Sequence, residues 1–184
     1  MTISPSENPE ALFPPDLLET DNPQKPWRIA HVKSRREKAL AGFLAKKGIG
    51  YYLPMVTRKQ SSRTNRVRYS LVPVFPGYIF LRADDSDRHT VFRTNQIATI
   101  IEVPDPDTLV HELKQIRAAL TGDMPVYPVD FLSVGQRVRV KKGPMKDVEG
   151  VIVRKDRHFR LVLSVTAIAQ SVSVELDEDM VERI

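Results

Sequence analysis

The chain has 184 residues, of which 41% are hydrophobic, enough for one domain or two small ones. It has no cysteine, which excludes disulfides, thiol catalysis and cysteine–zinc sites. No apolar run approaches the roughly 20 residues that span a bilayer, so we expect no membrane association. The net charge of +5 is uneven, because residues 25–120 hold 18 Lys and Arg against 8 Asp and Glu. A basic middle segment predicts an anionic partner, and nucleic acid is the commonest one.

The N-terminal segment is acidic and rich in proline. Residues 1–26 contain six of the 14 prolines, and residues 1–24 carry five acids and no base. This composition is not that of a signal peptide and predicts a disordered tail over residues 1–26. Within it, Phe13, Leu17 and Leu18 are the only candidates for a short docking segment.

Regular structure is predicted to begin at Trp27, where residues 27–32 alternate as a strand does. Ser34 and Glu37 are spaced as a capping box, in which the serine hydroxyl and the glutamate each satisfy a free backbone amide. They predict a helix that ends before Gly48, a residue suited to the left-handed position after a helix.

The following segments complete a β-α-β-β-α-β pattern with an extra helix, which predicts a ferredoxin-like α/β sandwich. A second strand is broken by Pro54. A third, long strand follows an acid-free segment, residues 58–68, whose five bases predict a mobile, DNA-binding hairpin tip. The predicted ranges of the later elements are 71–82 for that strand, 84–93 for a short helix, 97–103 for a fourth strand and 106–120 for a helix.

A Pro76-Gly77 pair bends the chain at the entrance of the strand that contains Ile79 and Phe80. Such a bend tilts side chains away from the regular strand alternation. Phe75 and Tyr78 flank the bend, and we expect both to reach the surface and to dock on another protein. The alternative interpretation is a buried strand with a proline-glycine corner.

The C-terminal part changes character. Residues 121–132 show no clear hydrophobic periodicity and predict a linker. Beyond them, short strands near residues 137–140, 150–154, 159–165 and 171–176 predict a small five-stranded β-barrel.

No catalytic or metal-binding motif is found. The four histidines share no metal-ligand spacing, and there is no phosphate-binding glycine loop or nucleophile motif. We therefore expect no cofactor, no metal and no enzymatic activity.

Two motifs in one chain carry a family resemblance. The segment from Gly135 through Gly143-Pro144 to Gly150 resembles a KOW motif. The N-terminal half resembles the NGN domain of NusG in the Trp27 strand, the following helix, Pro54 and residues 75–78. The resemblance implies an NGN domain over residues 27–120, a linker over 121–132 and a KOW domain over 133–184.

The resemblance implies a cytoplasmic, non-enzymatic regulator of transcription elongation. NGN domains of this family bind the clamp helices of RNA polymerase and can contact the upstream fork or the non-template DNA strand. KOW domains of the family engage a ribosomal protein or the termination factor Rho. The implied polymerase-binding positions are Trp27, Phe75, Pro76 and Tyr78. The implied DNA-binding positions are Arg35, Arg36, Arg93, Thr94 and Asn95. The implied KOW partner-binding positions are Gly143, Pro144, Met145, Lys146 and Ile168.

Three departures make the chain similar to specialised members such as RfaH and the UpxY-type antiterminators. Gln96 stands where general NusG proteins usually carry Pro-Gly, Met145 replaces a common aromatic, and Ile168-Ala169 replaces an expected Phe-Gly. These changes predict an antiterminator acting on particular operons. The alternatives are a general NusG-type elongation factor and a KOW-type RNA-binding or ribosome-associated protein. The neutral charge of residues 121–184 disfavours the RNA-binding alternative.

Overall fold

The computed structural model describes residues 8–61, 67–122, 126–129, 135–155, 158–176 and 180–183. Its contacts divide the chain into two compact units, Met1–Pro106 and Asp107–Ile184, which we describe separately as unit 1 and unit 2.

Unit 1 is a ferredoxin-like α/β sandwich, as predicted. Its elements are β1 (Leu12–Phe13), β2 (Trp27–Val32), α1 (Glu37–Lys47), β3 (Gly50–Tyr52), β4 (Met55–Ser61), β5 (Val67–Pro73), β6 (Tyr78–Arg82), α2 (Asp85–Arg93) and β7 (Ile97–Glu102). The main sheet is antiparallel, with the strand order β1-β3-β6-β2-β7. Strand β2, the first of the predicted pattern, therefore lies between β6 and β7, and β3 lies on the other side of β6.

Helix α1 packs on this sheet through one apolar face. Leu40 and Leu44 are fully buried in one cluster with Ile79 and Leu81, and burial of each such side chain contributes about 1.5 to 3 kcal/mol. The helix ends at Gly48, whose φ of 69° is left-handed, so the predicted C-terminal glycine is confirmed.

A buried cation fixes the start of α2 against the sheet. The Arg28 guanidinium donates to the Ala83 carbonyl at 3.0 Å, to Asp85 at 2.8 Å and to Glu102 at 3.1 Å. Burial opposes its charge, but the hydrogen bonds and charges of the two carboxylates outweigh burial and raise the pKa of Arg28. The position of α2, and of the loop that follows it, therefore depends on this residue of β2.

The second and the third predicted strand are each divided in the structure. A break at residues 53–54 separates β3 from β4, and the Pro76-Gly77 bend separates β5 from β6. Strands β4 and β5 pair with each other from Met55 and Pro73 to Ser61 and Val67, as a two-stranded sheet distinct from the main one. We call this pair the ribbon. Residues 62–66 of the predicted tip lie outside the described residues.

The prediction of a disordered tail is wrong for residues 8–26. Strand β1 pairs with the free edge of β3, and Leu17 and Leu18 are buried, with exposures of 5% and 2%. The Tyr51 hydroxyl donates to the Glu10 carbonyl at 2.9 Å, and burial raises the pKa of Tyr51 to about 12. The segment orders because its few apolar side chains meet a sheet edge that is distant in sequence. Residues 1–7 lie outside the described residues.

Replacing Leu18 by Ala tests this packing. Removal of a fully buried leucine side chain should lower the free energy of unfolding by about 2 to 5 kcal/mol, measured by chemical denaturation. The matched control is Glu19→Ala, because Glu19 is exposed beside it. Equal stability of the two variants would contradict the packing of this segment.

The described residues of unit 2 form one α-helix, a short 3-10 helix at Thr166–Ile168 and six strands. They are α3 (Pro106–Thr121), β8 (Val126–Val129), β9 (Gln136–Val140), β10 (Glu149–Lys155), β11 (His158–Val165), β12 (Gln170–Leu176) and β13 (Val181–Arg183). The strands form one antiparallel sheet in the order β13-β9-β10-β11-β12-β8.

The predicted linker is wrong at Val126–Val129, which pair with β12, and α3 extends to Thr121. No helix among the residues described in either unit is both long and apolar enough to cross a membrane.

Candidate functional site

Two hydrogen bonds tie the Pro76-Gly77 bend of unit 1 to residues that are distant in sequence. The Gly77 carbonyl accepts from the Val32 amide at 2.7 Å, and the Gly77 amide donates to Glu37 Oε1 at 2.8 Å. Gly77 has a φ of 85°, a left-handed conformation that residues with a β-carbon avoid. The bend is therefore tied both to the end of β2 and to the start of α1, and Pro76 lies exposed on it.

An aromatic stack adjoins the bend. The rings of His31 and Tyr78 lie 5.1 Å apart between centroids, with 17° between their planes. His31 is exposed and Tyr78 is half-buried. A β-carbon built on Gly77 would lie 3.6 Å from the imidazole, so this ring lies against the bend. We call the four residues His31, Pro76, Gly77 and Tyr78 the bend surface.

Sequence reasoning missed His31. It lies directly opposite Tyr78 in the ladder between β2 and β6, and opposed residues of antiparallel strands are in contact distance. Correct pairing of these two strands would have identified it.

The expectation that Phe75 is exposed is wrong. Its side chain is 1% exposed, and its ring meets Phe80 edge-on at 6.1 Å and 90°. Trp27 is also buried, at 4% exposure, with the Arg82 guanidinium 5.4 Å from its ring. The bend turns Phe75 into the interior, so the alternative interpretation of a buried corner holds for Phe75 but not for Pro76 or Tyr78.

Single substitutions test the different burial of Phe75 and Tyr78. Phe75→Ala should lower the free energy of unfolding by about 3 to 5 kcal/mol, because it empties a buried aromatic site. Tyr78→Ala should cost less, since part of that ring is already in water. Urea denaturation of both variants measures the difference, and a larger cost for Tyr78→Ala would contradict the burial of Phe75.

The predicted capping box at the start of α1 is also wrong. Arg36 is the N-cap residue and makes no side-chain cap bond. Arg35 adopts a left-handed conformation, with a φ of 60°, and this turn starts the helix at Glu37. Glu37 is 8% exposed, and its carboxylate accepts from the Gly77 amide. Its partner is 40 residues away in sequence, so local spacing gave no indication of it.

Glu37→Ala should destabilise the bend by about 1 to 3 kcal/mol, because the Gly77 amide loses its acceptor in a partly buried setting. Glu37→Gln is the matched control, since its amide oxygen can still accept this bond. Hydrogen exchange of the Gly77 amide reports the effect locally. Equal protection of that amide in the alanine variant and the parent chain would contradict the assigned bond.

Two loops with basic residues lie side by side in unit 1. The Lys33 amide donates to the Gln96 carbonyl at 2.8 Å, and Lys33 Nζ donates to Asn95 Oδ1 at 2.7 Å. These bonds join the segment that contains Arg35 and Arg36 to the segment that follows α2. Lys33 was missed by sequence reasoning.

The candidate DNA-binding side chains differ in their availability. Arg35, Arg36 and Arg93 are exposed. Thr94 is used internally: its hydroxyl donates to the Val91 carbonyl at 2.7 Å and accepts from the Gln96 amide at 3.2 Å. The arrangement offers guanidinium groups to an anion, while Thr94 supports the backbone.

The candidate KOW residues of unit 2 are partly buried. Gly143, Pro144 and Lys146 are exposed in the turn between β9 and β10. Met145 is 1% exposed and Ile168 is 8% exposed. Of the implied partner-binding positions, Met145 and Ile168 are therefore not on the surface, because their apolar side chains face the interior.

Helix α3 accounts for part of this burial. A β-carbon built on Gly122, just after α3, would lie 3.6 Å from Met145 Cγ. The Glu112 carboxylate accepts from the backbone amide and the hydroxyl of Thr166, and Gln115 Oε1 accepts from the Glu149 amide at 3.1 Å. No local sequence pattern indicates these polar contacts between the helix and the sheet.

The hydrogen bond from Arg139 and the positive charge of this residue lower the pKa of Glu149, whereas burial has a smaller, opposite effect than the hydrogen bond.

Within the described residues, no group of three or more His, Cys, Asp or Glu side chains could hold a metal ion. The candidate surfaces are thus built of aromatic, proline and basic groups, which suit binding.

Comparison with known protein families agrees with this architecture. The family model for NusG, described as transcription termination factor, matches residues 25–117, half of the chain. The chain belongs to the NusG family. The matched residues include the bend surface and both basic loops.

Individual relatives share 29% to 30% sequence identity with this chain. A transcription termination/antitermination protein NusG of Neisseria meningitidis is 29% identical over 177 residues, which cover 87% of this chain and 98% of the relative. Proteins of the same name from Buchnera aphidicola and Escherichia coli K12 are each 30% identical over 122 residues. Those alignments cover 59% of this NusG-family chain and 64% of each relative, slightly less than two thirds.

Proposed function

We propose that this NusG-family protein is a transcription elongation regulator that binds RNA polymerase through the bend surface. The observation that supports the proposal most strongly is the geometry of that surface: Pro76 and Tyr78 are presented beside His31 on a bend held by Glu37. Aromatic side chains in a rigid setting are the residues that typically supply interface energy. Trp27 and Phe75 then support the surface from beneath and do not contact the polymerase.

The protein acts without chemistry of its own, by preferring one state of the polymerase. A binding partner shifts an equilibrium only through different affinities for its states, and about 1.4 kcal/mol of preference changes the ratio tenfold. The proposed site on the polymerase is the clamp helices. A cytoplasmic location follows from this partner.

The two basic loops provide a second contact, to DNA. Exposed Arg35, Arg36 and Arg93 suit the phosphates of the upstream fork or the non-template strand. Cations near the start of a helix are unfavourable by themselves, because the helix dipole is positive there, and an arriving phosphate would offset this.

The proposal has two forms. In one, the protein is a specialised antiterminator that acts on particular operons; in the other, it is a general elongation factor that acts on all genes. The replacements at Gln96, Met145 and Ile168-Ala169 favour a specialised antiterminator, with altered Rho or ribosomal-protein contacts. The relative that aligns over 98% of its length carries the general name of termination/antitermination protein, which favours a general factor. Genome-wide occupancy of the tagged protein decides between the two forms.

A double variant tests the polymerase contact. His31→Ala with Tyr78→Ala should weaken binding to purified RNA polymerase at least about tenfold, since loss of an aromatic anchor costs on the order of 2 kcal/mol. Binding is measured by titration with labelled protein, and circular dichroism verifies the fold. Lys46→Ala, at an exposed site near the end of α1, is the control. Unchanged affinity of a folded double variant would remove the bend surface as the docking site.

A further inference from the structure

His31 is the member of the bend surface whose polar group the fold leaves unused. Its ring stacks on Tyr78, the residue directly opposite on β6, and Thr99 lies opposite it on β7. Among the described residues, the imidazole makes no side-chain hydrogen bond. Valine or phenylalanine would suit an exposed strand position equally well, so strand formation does not require the ring nitrogens.

The stack fixes how the imidazole is presented to a partner. The 17° angle between the two planes holds the ring of His31 nearly parallel to the half-buried ring of Tyr78. A β-carbon built on Gly77 would lie 3.6 Å from both Cδ2 and Nε2, so the bend adjoins one edge of the imidazole. A side chain that is oriented before binding loses little conformational entropy when it forms a contact. His31 is therefore a preorganised hydrogen-bonding group.

The segment that carries the bend surface is strongly cationic. Residues 27–83 contain 13 Lys and Arg and a single acid, Glu37. Glu37 is buried, and its carboxylate accepts from the Gly77 amide. This acid is used inside the fold and does not offset the exposed cations. A partner surface that docks here is favoured by acidic side chains, because complementary charges steer association and like charges oppose it.

Lys33 is an exposed cation two residues after His31. Its ammonium donates to Asn95 Oδ1, and because an ammonium has three donors, this bond leaves two N–H groups for a partner. The Lys33 backbone is also fixed, through the bond from its amide to the Gln96 carbonyl. A cation of defined position therefore adjoins the bend surface.

We propose that the polymerase surface that receives the bend surface is acidic, and that His31 donates a ring N–H to a carboxylate there, with Lys33 at the rim of the contact. This inference rests on the proposed function and assigns the polar chemistry of the same site. Pro76 and Tyr78 supply the apolar contact, and His31 supplies the directional bond. Hydrogen bonds to a charged group are about twice as strong as neutral ones, so His31 is the residue that selects an acidic partner.

Ring variants of His31 test the hydrogen bond. His31→Phe keeps a flat ring for the stack on Tyr78 and removes both nitrogens, whereas His31→Arg keeps a planar donor that can stack. We expect His31→Phe to weaken binding to purified RNA polymerase about tenfold, the value for loss of one hydrogen bond to a charged group. The loss should lie mainly in the dissociation rate, and His31→Arg should retain most of the affinity.

Binding is measured without nucleic acid, and circular dichroism verifies the fold of each variant. Unchanged affinity of folded His31→Phe would overturn the hydrogen bond. Equal weakening in His31→Phe and His31→Arg would also overturn it, because the shape of the imidazole and not its donor would then matter. If a ring variant does not fold, His31→Gln and His31→Leu form a second pair, in which equal affinities would overturn the proposal.

Removal of one rim charge tests the acidic character of the partner. Lys33→Gln should slow association and make the polymerase affinity less sensitive to salt, because rim charges act chiefly on the association rate and are screened. Lys46→Gln removes the same charge at an exposed site near the end of α1 and should change neither quantity. Equal salt dependence of Lys33→Gln and the parent chain would overturn the acidic partner surface.

Nucleic acid is the competing source of negative charge, so the same variants are also titrated with DNA alone. A loss of DNA affinity in His31→Phe with unchanged polymerase affinity would overturn the proposal. The double variant His31→Ala with Tyr78→Ala separates two kinds of failure. If it loses polymerase binding while His31→Phe binds normally, only the acidic contact is wrong; if the double variant also binds normally, the bend surface itself is wrong.

Discussion

The hydrogen bond between the Gly77 amide and the Glu37 carboxylate is the contact on which both candidate surfaces of unit 1 depend. A glycine bend alone has many conformations, and this bond, with the one from the Val32 amide, selects a single one. Burial of a carboxylate is costly unless a donor compensates it, so Glu37 and Gly77 stabilise each other. Glu37 is also the first residue of α1 and directly follows Arg35 and Arg36. Its bond therefore links the bend surface to the loop that contains these two arginines.

The features that the sequence predicted well are those set by local periodicity and by residues with special backbone preferences. The alternation at residues 27–32, the apolar face of α1 and the glycine at position 48 each depend on neighbours within a few positions. Once these elements are placed, the order β-α-β-β-α-β leaves few ways to build a sheet, and the ferredoxin-like fold follows. The short strands of unit 2 were predictable for the same reason, since alternation and glycine turns mark them individually.

The features that the sequence did not predict depend on contacts between distant segments. Leu17 and Leu18 read as part of a tail because their composition is that of a solvated chain, and only the open edge of β3 makes their burial favourable. Phe75 and Tyr78 flank the same bend and are equivalent by composition, yet one is interior and the other half-exposed. The direction of a bend decides this, and direction is a property of the folded backbone. Likewise, Met145 is buried because α3 ends beside it, which no local pattern of β9 or β10 indicates.

The departures from the usual family sequence concern side chains more than backbone. Where an expected glycine is replaced, Ala169 has a φ of 50°, and next to Gln96, Asn95 has a φ of 56°. Both are left-handed conformations of the kind that glycine adopts most easily. Asparagine tolerates this region, whereas alanine adopts it at a cost of roughly 1 to 2 kcal/mol. A fold that accepts this cost needs the turn at that position, so the turn is kept while the groups displayed on it change. At both positions the left-handed turn is therefore present without glycine, and the side chain that the turn presents is what differs.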